Sequence, residues 1–182
     1  MLRVLAISGS LRTDSTNTAL LRAASANAPD GMTIEIYDGL GDLPIFNPDL
    51  NQNKLPAVLG LRERVLSADG LIISSPEYAH GVPGGIKNLL DWAVGWEEFP
   101  GKPVALFHTS PYGDHAQTAL TEILKTMSAC LIPAANLTVN LRGKKSEEMA
   151  TILASSGVTD SLRRALATFA RALPSCRSAS AA

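Results

Sequence analysis

Leu2-Arg3-Val4-Leu5-Ala6-Ile7-Ser8 is an almost unbroken apolar run. It stops in Ser8-Gly9-Ser10-Leu11-Arg12-Thr13-Asp14-Ser15-Thr16-Asn17, ten residues crowded with hydroxyls, one glycine and one arginine. A helical pattern begins at once. A buried strand that breaks into a polar loop and then opens a helix gathers backbone N–H groups and the positive end of the helix dipole at one point, where an anion is stabilised. The side chains suit a phosphate: Ser8, Ser10, Ser15 and Thr16 each carry an O–H donor, Asn17 carries an amide, and Arg12 presents a planar fork that matches two phosphate oxygens. The same residue types are ordinary helix N-caps, so the stretch by itself is also compatible with a solvated cap. It is not a Walker loop, since no Gly-Lys-Ser/Thr closes it, nor the dinucleotide fingerprint, since Gly9 lacks companion glycines at the required spacing.

The remainder of the chain bounds what this loop can belong to. At 182 residues, nearly half of them apolar, the chain is sized for one domain, spanning 1–182, around a single substantial core. Sixteen basic residues against seventeen acidic ones, with no cationic block, give no electrostatic support for a nucleic-acid or anionic-membrane partner. No run approaches the roughly 20 apolar residues that cross a bilayer, and the first residues lead straight into a strand with no cleavable apolar segment. The expected location is the cytoplasm. Cys130 and Cys176 lack metal spacing and read as a buried thiol and a free exposed thiol. His80, His108 and His115 also lack ligand spacing, and no metal site is expected.

Periodicity orders the elements. Helical spacing is predicted over residues 16–27, 57–68, 86–94, 116–127 and 160–173, and strands over 2–8, 33–37, 70–74, 104–109 and 130–132. Residues 38–56 form a long polar loop with four prolines or glycines before Pro56 and a small apolar knot, Leu43-Pro44-Ile45-Phe46; it is either functional or simply packed. Residues 174–182 read as a frayed tail. Alternating strands and helices imply right-handed βαβ units: an α/β, flavodoxin-like three-layer sandwich with a five-stranded parallel sheet and helices on both faces.

In such a sheet every loop that follows a strand leaves at the same edge, where ligands bind. The loops 8–17, 75–85 and 110–115 are therefore expected to be neighbours. The first supplies phosphate donors. The second has Gly81, Gly84 and Gly85, which let backbone approach a flat ligand, with Tyr78 and His80 to cover it. The third adds Ser110 and Gly113. A phosphate anchor beside a slot for a planar ring describes flavin mononucleotide (FMN).

Gly9-Ser10-Leu11-Arg12 with Ser15 and Asn17, Leu43-Pro44-Ile45-Phe46-Asn47-Pro48-Asp49-Leu50, Ser75-Pro76-Glu77-Tyr78 with Gly81, Pro83-Gly84, Lys87-Asn88 and Asp91-Trp92 together resemble the NADPH-dependent FMN reductase family. That family includes quinone, chromate and azo-dye reductases, and the resemblance spans residues 2 to about 132. It implies FMN at the sheet edge, NADPH or NADH as co-substrate, a small-molecule electron acceptor, and a homodimer or homotetramer. Carried over position by position, Ser10, Arg12, Ser15, Thr16 and Asn17 would hold the FMN phosphate. Pro76, Glu77, Tyr78, His80 and Gly81 would line the isoalloxazine ring, and Ser110 would touch the cofactor from the third loop. No side chain is assigned a catalytic role, because the chemistry is carried by FMN. Two departures stand out: Ala79 replaces the family's usual Asn, and Pro111-Tyr112-Gly113-Asp114-His115 replaces paired glycines and an arginine.

Some of these residues have equally good structural readings. Glu77 can satisfy nearby backbone donors, Lys87 and Asp91 form an i,i+4 surface pair, and Trp92 and Trp96 read as core or subunit interface. Competing functions fit less well. A flavodoxin-type electron carrier is typically strongly acidic, a serine hydrolase would need a Gly-x-Ser-x-Gly elbow, and a receiver domain would need clustered acids where this chain has Ser8-Gly9-Ser10.

Overall fold

The computed structural model describes residues 1–112 and 114–179. Strand β1 (Leu2–Ser8) leads into α1 (Thr16–Ala26), β2 (Met32–Tyr37), α2 (Pro56–Ser67), β3 (Gly70–Ser74), α3 (Gly84–Ala93), β4 (Pro103–His108) and α4 (Asp114–Thr126). Two short strands, β5 (Cys130–Leu131) and β6 (Leu137–Thr138), and two helices, α5 (Ser146–Ala154) and α6 (Ser156–Ala179), follow. The sheet runs β2-β1-β3-β4-β5, with β6 also on β4, and every ladder is parallel. This is the flavodoxin-like α/β arrangement.

The sheet is buried on both faces, as its apolar strands require. Alternation along β1 sends Leu5 and Ile7 to one side, where they meet Val58 and Leu61 of α2, Leu89 of α3 and Leu124 of α4. Val4 and Ala6 go to the other side, against Leu20 and Leu21 of α1, Met149 of α5 and Leu166 and Phe169 of α6. Trp92 and Trp96 lie in the first of these layers, nearly fully buried. Their indole N–H groups donate to the Pro44 carbonyl (2.8 Å) and to Gln52 Oε1 (2.8 Å). Asn88 adds a reciprocal pair, accepting from Phe46 N and donating to the Pro44 carbonyl. The long segment before α2 is therefore packed on α3, with two 3₁₀ turns of its own at Gly39–Asp42 and Gln52–Lys54.

Four features depart from the sequence pattern. The edge strand expected at 130–132 is two strands. Pro133, which has no N–H for a ladder, opens a 3₁₀ turn at Pro133–Ala135, and the Leu106 N–H facing the break is taken by Asn136 Oδ1 at 2.8 Å. α5 was not signalled by periodicity; it starts where the Lys145 N–H donates to Glu148 Oε2. The last helix does not end at Leu173. α6 continues through Pro174 to Ala179, so at least residues 174–179 are not a frayed tail; residues 180–182 lie outside the described residues. Cys176 is buried and disulfide-bonded to Cys130, with their Cα atoms 5.8 Å apart, which corrects the reading of two separate thiols. A separation of 46 residues hides that pairing from any local pattern.

Candidate functional site

The loops after β1, β3 and β4 do meet. Ser8 is in register with Ser74, Gly9 N–H donates to the Ser74 carbonyl at 2.8 Å, and the Thr16 and Thr109 hydroxyls are 3.1 Å apart. Gly9 is required by this closeness. A Cβ there would fall 2.7 Å from Ser75 Oγ and 2.8 Å from Ile86 Cγ1.

Within the first loop the donors divide into those already engaged and those still available. Ser8 Oγ accepts from Thr18 Oγ1 (2.8 Å) and from Ser10 N–H, so Ser8 holds the loop rather than facing a ligand. Asn17 is buried. Its Oδ1 accepts from Ser74 Oγ at 2.9 Å and lies 3.5 Å from Thr109 Oγ1, tying all three loops together. Ser15 Oγ caps α1 by accepting from Thr18 N–H, and Ser10 Oγ accepts from Arg12 N–H. Both hydroxyls keep their hydrogen for another acceptor. The N–H groups of Thr16 and Asn17, in the first turn of α1, have no intrahelical acceptor. The exposed Arg12 guanidinium has no ion-pair or hydrogen-bond partner among the described residues. A cation, two hydroxyls and a helix N-terminus therefore stand on one short stretch with no protein partner for them among the described residues, which is the donor set a phosphate monoester takes.

The second loop is built differently. Tyr78 and Gly81 close a tight turn through reciprocal backbone hydrogen bonds (3.2 and 3.0 Å), and its central residues Ala79 and His80 are both left-handed (φ 50° and 57°). Left-handed geometry is strained for alanine and tolerated by asparagine. The backbone turn thus accounts physically for an Asn preference at position 79. Glu77 Oε2 accepts the N–H of Ala116, in the first turn of α4, at 2.9 Å, and its Oε1 lies 3.5 Å from His80 Nδ1. The His80 and His115 rings meet edge to face, 4.4 Å between centroids. Glu77 is thus a helix cap, as its structural reading allowed. Ser110 spends its hydroxyl inside its own turn, accepting from Tyr112 N–H and donating to the Tyr112 carbonyl.

Pro76, Glu77 and Ser110 line a cavity of about 40 Å³ together with His108, Thr109 and Tyr112. Sequence reasoning missed His108. Its imidazole is mostly buried, and desolvation lowers its pKa from 6.5 to about 4, so it is neutral at physiological pH. No spacing signal distinguishes it from the other two histidines; only its place at the end of β4 does.

Residues 2–142 match the family model described as NADPH-dependent FMN reductase. The chain belongs to that family. Among its relatives, an NAD(P)H-dependent FMN reductase of Pseudomonas aeruginosa is 41% identical over 112 residues, covering 60% of each chain. A quinone reductase of Escherichia coli is 38% identical over 116 residues, 62% of this chain and 61% of its own. The chain thus matches about three fifths of the length of these relatives. Among solved structures, the flavoenzyme NAD(P)H:(acceptor) oxidoreductase FerB of Paracoccus denitrificans superposes with a TM-score of 0.81 at 26% identity, covering 96% of this chain and 98% of its own.

Proposed function

We propose that this chain is an FMN flavoprotein that oxidises NADPH or NADH and reduces a small acceptor such as a quinone, a flavin, chromate or an azo dye. The observation that carries the reading is the unsatisfied donor set of the first loop, placed beside a glycine-bearing turn on one sheet edge. The residues fit FMN. Ser10, Arg12, Ser15 and the N–H groups of Thr16 and Asn17 would hold its phosphate. The backbone of Pro76 to Gly81 would border the ring, and Asn17 would position the three loops rather than supply a direct grip. When bound, FMN accepts and passes on the hydride; the chain's part is to place it, to shield it, and to present polar groups near the ring.

Homo-oligomerisation belongs to the same proposal. The groove between α3 and α4, about 440 Å³ and lined by Leu90, Val94, Ala119, Ile123 and Met127, supports a second copy as its occupant, with Val94 65% exposed. Sedimentation velocity distinguishes monomer, dimer and tetramer. A single domain across 1–182 is supported by both core layers sharing one sheet. Among the described residues no helix is long and apolar enough to cross a membrane. A cytoplasmic location rests on the family likeness and is tested by cell fractionation, the more so because disulfides are rare in that compartment.

The experiment is reconstitution. Protein incubated with FMN and freed of excess should keep a flavin absorption band that bleaches with NADPH or NADH and returns on adding a quinone. Protein that retains no flavin, or whose flavin neither nucleotide bleaches, contradicts the proposal.

A further inference from the structure

A second guanidinium without a carboxylate partner among the described residues stands at the same sheet edge, outside the phosphate loop. The segment after β6 is fastened to the end of β4: Val139 N–H donates to the His108 carbonyl and Leu141 N–H to the Thr109 carbonyl, both at 2.9 Å. This fastening delivers Arg142 to the rim, where its guanidinium carbon sits 5.7 Å from the centroid of the Tyr112 ring. Tyr112 is 70% exposed and lines the small cavity shared by Glu77, His108 and Ser110. An arginine held over an exposed aromatic ring by cation–π attraction is pre-oriented.

The charges around it leave that cation available. Lys144 is paired with Glu148 at 3.2 Å, and Glu148 also accepts the Lys145 N–H. Glu77 is taken by Ala116 N–H and His80. Arg142 and the Lys145 ammonium have no carboxylate partner among the described residues. Asp114, in the first turn of α4, is the acid nearest in sequence to Tyr112. The loop that carries Tyr112 has no arginine of its own.

We propose that Arg142, seated on Tyr112, recognises the 2′-phosphate by which NADPH differs from NADH, with the adenine stacking on this Arg–Tyr pair and Lys145 adding charge. The inference rests on the flavoenzyme reading above and names the residue that sets its nucleotide preference. A planar guanidinium suits both parts of the task, since it bonds a phosphate bidentately and stacks on a ring. Arg12 and Arg142 thus divide two phosphates between them, Arg12 from the loop after β1 and Arg142 from the segment fastened to the end of β4.

The test uses the FMN-loaded protein and two readouts. In calorimetric titrations, adenosine 2′-monophosphate should bind at least about tenfold more tightly than adenosine 5′-monophosphate, and Arg142→Ala should abolish the difference. In steady-state assays, Arg142→Ala should lower the NADPH-to-NADH ratio of kcat/KM on the order of tenfold, chiefly through KM, with Arg142→Lys intermediate. Retained FMN absorption in the variants shows that they are folded. An unchanged ratio in Arg142→Ala together with equal binding of the two monophosphates overturns the inference and leaves the flavoenzyme reading standing. Wild-type protein that holds FMN but oxidises neither nucleotide overturns both.

Discussion

The loops after β1 and β3 leave the same edge of one sheet a hydrogen bond apart, yet they handle their polar groups in opposite ways. The first leaves its cation and two hydroxyl hydrogens unspent, and uses Ser8 and Asn17 to hold itself in place. The second spends its carboxylate on capping α4 and its backbone on a left-handed turn. On the proposed reading, the contrast teaches that side chains of the first loop would grip a charged end, whereas the second would present backbone and shape to a flat, nearly neutral ring. Removing Arg12 or a free hydroxyl from the first should change ligand affinity with little effect on stability, and removing the Glu77 cap from the second should do the reverse.

The largest stability effect expected is at His108, which shares a small cavity with the second of these loops. Because burial lowers its folded-state pKa from 6.5 to about 4, the unfolded chain takes up a proton first as pH falls. Stability is therefore full above about pH 6.5 and is lost progressively toward pH 4, by on the order of 3 kcal/mol for this one group. Urea denaturation of wild type and His108→Gln across that window checks it; the variant should lack this part of the slope, and parallel pH profiles would count against it.

Forcing the loops apart comes next. Gly9→Ala places a methyl against Ser75 and Ile86, and should cost about 1–3 kcal/mol in thermal unfolding while also weakening FMN binding. A smaller change separates the roles. Glu77→Ala removes the α4 cap and should cost about 1 kcal/mol with FMN affinity changed by less than about threefold. An affinity loss as large as that of an arginine deletion would turn Glu77 from a cap into a ligand contact. The smallest effect sharpens the picture of the turn: Ala79→Asn should stabilise by about 0.5–1 kcal/mol, because asparagine tolerates the left-handed geometry alanine is made to adopt. Differential scanning calorimetry resolves that shift, and a destabilised variant would mean the site opposes a larger side chain.

Much of this contrast is legible in the sequence, and the reason is local. β1 and β3 announce themselves as apolar runs that each end in serine, and the parallel arrangement then brings Ser8 beside Ser74 without further information. Whether a donor is free or spent is a different kind of fact. Ser10 and Ser8 look alike in the sequence; only the Thr18 and Ser10 contacts to Ser8 show that one is structural. The same holds for Asn17, Asn88 and His108, whose partners come from segments tens of residues away. The extension of α6 through Pro174 and the Cys130–Cys176 disulfide were hidden for that reason too, since a proline ordinarily ends a helix and here long-range packing and the cross-link hold it.

The account depends most on Arg12 and its neighbouring hydroxyls meeting a phosphate, and comparing FMN with riboflavin, which lacks that group, isolates the contact. Fluorescence titration of wild type should show FMN binding on the order of a hundredfold more tightly than riboflavin, and Arg12→Ala should lose on the order of tenfold or more for FMN while leaving riboflavin affinity unchanged. Equal affinity of the wild-type protein for the two flavins would contradict it.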